Sequence, residues 1–270
     1  MSRLTKKWSI YKCILCPVAI FGLVIGIFAY SPIVLHSEQT LDPDGDGLTD
    51  DQEALYYTNP LSADTDGDSF FDGDEVENGY SPLAAGKVRM SEHDHDSDGL
   101  NDEIEGLFGS DRGKIDSDGD GFSDFEEVAH GYSPTDAATS TRYVREIEVD
   151  RTSQRLYFVV NNVRLLDFPV STGNPWTPTP AGEFTIDRMI PNKRYVGVDY
   201  DLSNVKWNMR FKPLYYIHAA YWHASFGVRT MSHGCVNMKE SDAKILYQYV
   251  EPGMAVKIYG TTPPRRVVEV

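Results

Sequence analysis

The chain has 270 residues, enough for one large domain or two smaller ones, and carries 41 acidic against 25 basic side chains. A net charge of −16 excludes a general nucleic-acid binder, because neutralising phosphates takes clustered Lys and Arg. The acidity is uneven: 28 of the 41 acids lie between Asp42 and Asp136, opposed there only by Lys87, Arg89, Arg112 and Lys114, so the rest of the chain is net basic.

The first element is an uncharged, almost wholly apolar run from Cys13 to Tyr30, preceded by Arg3, Lys6, Lys7 and Lys12 and extended past Ser31-Pro32 by Ile33–Leu35. Its length predicts a transmembrane helix, and the basic flank predicts that residues 1–36 form a cytoplasmic tip and a single-pass anchor. Everything that follows is then extracytoplasmic, on the periplasmic or cell-wall side. A cleaved signal peptide is the alternative, but no small-x-small cleavage pattern clearly follows Tyr30. Both readings export the remainder. Cys13 and Cys16 sit inside the apolar run and read as small helix residues, which leaves Cys235 as a lone exported thiol without an intramolecular disulfide partner.

Residues 37–141 repeat one acidic pattern four times. The first copy places acids at Asp42, Asp44, Asp46, Asp50 and Glu53; the second at Asp64, Asp66, Asp68, Asp72 and Glu75. The third uses Asp94, Asp96, Asp98, Asp102 and Glu105, and the fourth Asp116, Asp118, Asp120, Asp124 and Glu127. Acids at positions 1, 3, 5, 9 and 12 of a twelve-residue stretch form the oxygen-ligand array of a calcium loop, with position 7 adding a backbone carbonyl. Position 6 needs a sharp turn, which Gly47, Gly99 and Gly121 supply and Ser69 does not. The first pair of loops recurs as the second, Gly79-Tyr80-Ser81-Pro82 mapping onto Gly131-Tyr132-Ser133-Pro134, so the segment is a duplicated unit rather than a random acidic tail. One brief helix is expected after a loop, around Glu53–Tyr57 and Glu103–Phe108. The segment resembles thrombospondin type 3 repeats and related bacterial half-hand repeats, a resemblance that implies bound Ca2+ in a structural role.

Residues 142–270 change character. Strands are expected at Tyr143–Val149, Arg155–Val160 and Val163–Val170, with Asn161-Asn162 as a hairpin turn. Further strands are expected at Glu183–Asp187, Tyr215–Ala219 and Ala255–Tyr259, and a helix at Ser241–Tyr249 capped by Ser241. The domain therefore reads as mainly β with one or two short helices. Its chemistry gathers in Ile217-His218-Ala219 and in Met231-Ser232-His233-Gly234-Cys235-Val236-Asn237-Met238. A nearby imidazole can take the proton of a thiol, and the glycine lets the backbone turn beside the nucleophile.

These two segments, with the Pro178–Gly182 loop, resemble the signature of the L,D-transpeptidases of the YkuD type. The resemblance implies a β-sandwich-like catalytic domain, no catalytic cofactor, and peptidoglycan stem peptides as partners. It makes Cys235 the nucleophile, His218 the base, and His233 and Gly234 the shapers of the site, with backbone N–H groups near Cys235 as an oxyanion hole. Ser232 and Asn237 (the latter where many relatives carry Arg), together with Tyr221, Trp222 and Arg229, are the expected substrate-binding residues. The implied activity is formation of 3→3 cross-links by acyl transfer; hydrolytic trimming by an L,D-carboxypeptidase, or a noncatalytic calcium-dependent wall-binding protein, are the alternatives.

Overall fold

The structure, a computed structural model, describes residues 41–198 and 200–264, so the apolar run and its expected anchor lie outside the described residues. No helix among the described residues is long and apolar enough to cross a membrane. The described residues belong to one compact unit.

The acidic segment folds into four seven-residue helices, α1 (Asp50–Tyr56), α2 (Asp72–Asn78), α3 (Asp102–Phe108) and α4 (Asp124–His130). Each starts at loop position 9, earlier than the helix starts read from the sequence. In three of them a cap supports that start: Thr49, Asn101 and Ser123 at position 8 accept a backbone N–H of the first turn through their side chains, whereas α2 starts there with Phe71 offering no such bond. Three acids crowd each first turn, where the helix dipole favours negative charge. Starting there also turns the position-12 Glu inward, so that all four are buried. Each helix ends on a left-handed residue, Tyr57, Gly79, Gly109 or Gly131.

The C-terminal segment forms nine strands: β1 (Arg145–Asp150), β2 (Arg155–Val160), β3 (Val163–Ser171), β4 (Gly182–Thr185), β5 (Arg188–Val196), β6 (Asp201–Lys212), β7 (Tyr215–Ala219), β8 (Val236–Met238) and β9 (Ala255–Tyr259). They make one continuous sheet in the order β4-β9-β1-β2-β3-β8-β7-β6-β5, antiparallel except for the β1–β9 and β7–β8 pairs. The β-sandwich-like domain implied by the resemblance is built from a single curled sheet. Its curl brings the Phe184 ring of β4 within 5.4 Å of the Phe211 ring of β6, and the Asp187 amide donates to the Arg210 carbonyl. Helix α5 (Glu240–Tyr249) packs on β6 and β7 and buries Ala243, Leu246 and Tyr249. Its N-cap is Lys239 with no side-chain bond, and the Ser241 hydroxyl donates to Asp242 instead, so Ser241 is not the cap.

The core does not stop at the change in composition near residue 142. Leu100, Phe108, Val128 and Ala129 of the second loop pair belong to the same buried cluster as Ile147, Phe158 and Leu246. Burying side chains of this size contributes roughly 1.5–3 kcal/mol each. Tyr249 joins the two parts: its ring meets Phe125 edge-on at 5.9 Å, and its hydroxyl donates to Glu126 at 3.4 Å. Arg145 donates to the carbonyls of Ala129 and Tyr249 at 3.3 and 2.9 Å.

Candidate active site and carboxylate cages

Strands β7 and β8 run parallel and place His218 directly opposite Asn237. Residues at matched positions of neighbouring strands project from the same face, and Cys235 enters just before β8. A cleft of about 280 Å³ opens there, lined by Tyr195, Tyr200, Leu202, His218, Trp222, Met231, Ser232, His233, Cys235 and Asn237. The structure therefore brings Cys235, His218, His233, Ser232, Asn237 and Trp222 together. It does not bring Tyr221 or Arg229 to the cleft lining: Tyr221 is exposed and its hydroxyl donates to the Ser203 carbonyl, while Arg229 lines a separate polar cavity with Gln154 and Thr230.

The protonation states follow from the partners. His218 is buried, and its Nδ1 lies 2.8 Å from the Ala219 carbonyl oxygen, which can only accept. The proton must sit on Nδ1, which leaves the Nε2 lone pair as a base. Burial lowers the His218 pKa to about 4, outweighing the carbonyl contact that raises it. Burial also pushes the Cys235 thiol up to about 11, against the Tyr216 backbone donor and the charge of Lys193. The Leu214 carbonyl oxygen lies 3.9 Å from Cys235 Sγ, where it can accept from the thiol. The resting pair is neutral imidazole and neutral thiol.

The turn that presents Cys235 is tightly braced. Gly234 has φ +114°, and a Cβ there would lie 2.6 Å from the Tyr215 ring. The Ser232 and Thr179 hydroxyls both donate to the Cys235 carbonyl, and the Asn174 side chain donates to the Ser232 carbonyl. The Gly234 amide donates to Ser232 Oγ at 3.1 Å, so at rest that N–H is already engaged. His233 stacks on Tyr200 at 5.5 Å, and the His218 ring lies 5.1 Å from Tyr195 and 5.9 Å from Trp222. Tyr195, Tyr200 and Leu202 were not among the residues read from the sequence, whereas Met231 opens the motif that was.

The four acidic loops share one geometry. In each, the position-9 amide donates to the carbonyl just before position 1, at 2.9–3.0 Å, which closes the loop. The position-1 Asp accepts the amides of positions 4 and 6, as Asp116 does from Gly119 and Gly121. The carboxylates at positions 1, 3 and 5 draw together within 4.8 Å. Oδ2 of Asp44, Asp66, Asp96 and Asp118 is buried without a partner, as are both carboxylate oxygens of Glu53, Glu105 and Glu127 and Oε2 of Glu75. Buried carboxylate oxygens without donors are costly unless a cation completes them, and an all-oxygen cage fits a hard divalent ion. Burial first, and neighbouring Asp charges second, raise Glu53, Glu75 and Glu127 to about 7 and Glu105 to about 8.

Position 9 departs from the ligand array expected from the sequence. Asp72 and Asp124 accept both the amide and the hydroxyl of the position-2 residue, Thr65 or Ser117, at 2.6–2.9 Å. Asp102 accepts from the His95 amide and pairs with His93 Nδ1 at 2.8 Å. These three carboxylates brace the loop instead of facing its centre. Asp50 lacks the bond because position 2 of its loop is Pro43, which has no N–H, and its Oδ1 is left without a partner.

With this geometry in view, the family likeness is specific. Residues 144–258 match the L,D-transpeptidase catalytic domain, YkuD, and residues 42–63 and 116–136 match the bacterial TSP3 repeat. The C-terminal segment is therefore similar to the L,D-transpeptidase catalytic domain, and two stretches of the acidic segment are similar to the bacterial TSP3 repeat. Among characterised relatives, the chain is 30% identical over 96 residues to the probable L,D-transpeptidase 3 of Mycobacterium tuberculosis, covering 32% of this chain and 35% of that protein. It is 26% identical over 152 residues to L,D-transpeptidase 1 of the same organism, covering 50% and 55%. The chain thus spans about a third to about half the length of these relatives. A solved L,D-transpeptidase from Mycobacterium smegmatis is 26% identical with a TM-score of 0.42, covering 44% of this chain and 60% of that one.

Proposed function

We propose that the protein is a peptidoglycan L,D-transpeptidase that forms 3→3 cross-links through a Cys235 thioester, held outside the membrane by its apolar N-terminal run on a calcium-stiffened module. The observation that carries this reading is the Nδ1–H tautomer of His218, which leaves Nε2 as a base in the cleft that holds the free thiol of Cys235. As a tetrapeptide stem binds, His218 Nε2 takes the thiol proton and Sγ attacks the carbonyl of the third residue. The S–C bond forms, the amide to the terminal D-alanine breaks, and His218 returns the proton to the departing amine. The amine of a neighbouring stem then attacks the thioester, loses a proton to His218 and releases Sγ. Tyr195, Tyr200 and Trp222 supply flat apolar walls that limit water at the thioester.

Ca2+ belongs to the repeat module and takes no part in these steps. Positions 1, 3, 5 and 12 of each loop would hold it, with the position-7 carbonyl. The ion would neutralise carboxylates that otherwise repel and so rigidify a segment whose first two helices, α1 and α2, bury only acids.

The test incubates the full chain, in detergent with calcium, with tetrapeptide muropeptides, alongside Cys235→Ala, and reads the products by mass spectrometry. Cysteine-dependent dimers that lack one D-alanine are expected. Monomeric tripeptides alone would move the assignment to an L,D-carboxypeptidase. Binding without conversion by either protein would leave a noncatalytic wall-binding protein.

A further inference from the structure

The resting thiol of Cys235 is costly to ionise, because burial works against a bare negative charge on Sγ. Removing its proton calls for a positive charge that reaches the sulfur, and His218 carries one only after it has taken that proton. Strand β5 supplies another. Lys193 and Tyr195 alternate along it, half-buried on one face, while Arg194 between them is exposed and pairs with Asp201. Tyr195 lines the cleft and lies 5.1 Å from the His218 ring, so Lys193 projects to the side of the sheet that carries the site.

The Lys193 ammonium sits over two rings at once, 4.7 Å from the centre of Tyr195 and 5.6 Å from that of Tyr216. Those rings meet edge to face at 5.6 Å and form a corner that holds the cation. The corner is fixed. The Tyr195 hydroxyl donates to Asn208 Oδ1 at 2.9 Å, and the Asn208 NH2 group donates to the Ile190 and Val205 carbonyls at 3.0 and 2.8 Å. Asn208 and Tyr216 are buried, and Tyr216 precedes His218 on β7. Aromatic faces hold an ammonium without neutralising it, whereas a carboxylate would cancel its field. Among the described residues, no Asp or Glu lines the cleft. The charge of Lys193 acts on Cys235, where it opposes the effect of burial, whereas His218 is shifted by burial, the Ala219 carbonyl and His223.

We propose that Lys193 is a positioning residue of the reaction, a cation held on the Tyr195–Tyr216 corner whose field stabilises negative charge on Sγ. It acts when His218 takes the thiol proton and again when the thioester releases the sulfur. Lys193 itself neither gives nor takes a proton, and no bond to it forms or breaks. The second of these moments rests on the transpeptidase reading; the first concerns the thiol alone.

The test alkylates Cys235 in the full chain, in detergent with calcium, using neutral iodoacetamide and anionic iodoacetate. Mass spectrometry of the Cys235 peptide reads the rate, so that Cys13 and Cys16 do not interfere. Lys193→Met keeps the length of the side chain without its charge, and Lys193→Arg keeps the charge. At pH 8, Lys193→Met is expected to slow iodoacetamide about threefold, because a higher thiol pKa lowers the thiolate fraction more than it raises nucleophilicity. It is expected to slow iodoacetate about tenfold, since that reagent also loses the attraction of the ammonium. Lys193→Arg is expected to stay within about twofold of wild type with both reagents, because its charge remains. A lysine that merely packs against the rings would leave the ratio of the two rates unchanged in Lys193→Met, and that result overturns the proposal. An equal loss in Lys193→Arg overturns it as well. Folding is checked by circular dichroism, and Lys193→Gln repeats the comparison if the methionine variant does not fold. On tetrapeptide, kcat/KM of Lys193→Met is expected to fall about tenfold. If wild type does not process tetrapeptide at all, the transpeptidase reading fails, and the alkylation rates alone then uphold or overturn the role of Lys193.

Discussion

At the scale of single residues, the site rests as a neutral pair, and this sets its pH behaviour. His218 is unprotonated above about 4 and Cys235 is protonated below about 11. The competent neutral form therefore persists across the whole interval between those values. The acid limb of kcat/KM is expected near 4, where protonation of His218 removes the base, with a level profile from about pH 5 to 9. A thiolate–imidazolium pair would instead respond near neutrality. Stopped-time assays across that range, with His218→Gln as control, distinguish the two, and the control is expected to lose about 10²–10⁴-fold at every pH. Cys235, His218 and their neighbours were legible because a short contiguous motif carries them. Tyr195, Tyr200 and Leu202 were not, because they reach the cleft from the end of the β5–β6 hairpin, which precedes the motif in sequence and carries no recognisable pattern of its own there.

At the scale of elements, the loops separate what spacing reveals from what packing decides. The intervals between acids disclosed the loops, but not that position 9 braces position 2, since that depends on which way the carboxylate turns once a helix begins there. The β5–β6 hairpin was missed although Val205, Trp207, Met209 and Phe211 alternate with polar residues along β6. Pro191 and the charges of β5 masked its partner, and positive φ at Asn204 and Trp207 shows that the strand is itself kinked. Ser69 adopts φ +82° at a position filled by glycine in the other three loops. Ser69→Gly is expected to stabilise the second loop by about 1 kcal/mol, measured as tighter calcium binding by calorimetry.

The buried glutamates give the loops a pH signature. Their folded-state pKa values are raised to about 7–8, whereas the unfolded chain ionises near 4.5. The folded state therefore binds more protons between these values, and stability falls as pH rises through the window. In chelator, the Tm is expected to drop from pH 5 to pH 8. In excess calcium the drop should vanish or reverse, because the ion binds the ionised form. A chelated protein equally stable at both pH values would show that the cages do not hold this charge.

At the scale of the whole molecule, one buried cluster runs from Leu100 to Ile258 and crosses the compositional join. Calorimetry in calcium is expected to show the second loop pair and the sheet melting together. Tyr249→Ala removes ring contacts to Phe125, His130 and Phe158 at once. It is expected to cost about 3–5 kcal/mol and to split that single transition in two. A single sharp transition at unchanged Tm would mean that Tyr249 does not couple the parts.

The shared core also decides how the chain can be taken apart. Composition invites a cut between residues 141 and 142, but the piece that followed would open to water the faces of Tyr143, Arg145 and Tyr249 that now lie against Phe108, Ala129 and Phe125. The portable unit begins before Leu100 and carries two ion loops with it. Under the proposed function, a host that received this sheet as a cassette would inherit a demand for calcium along with the chemistry.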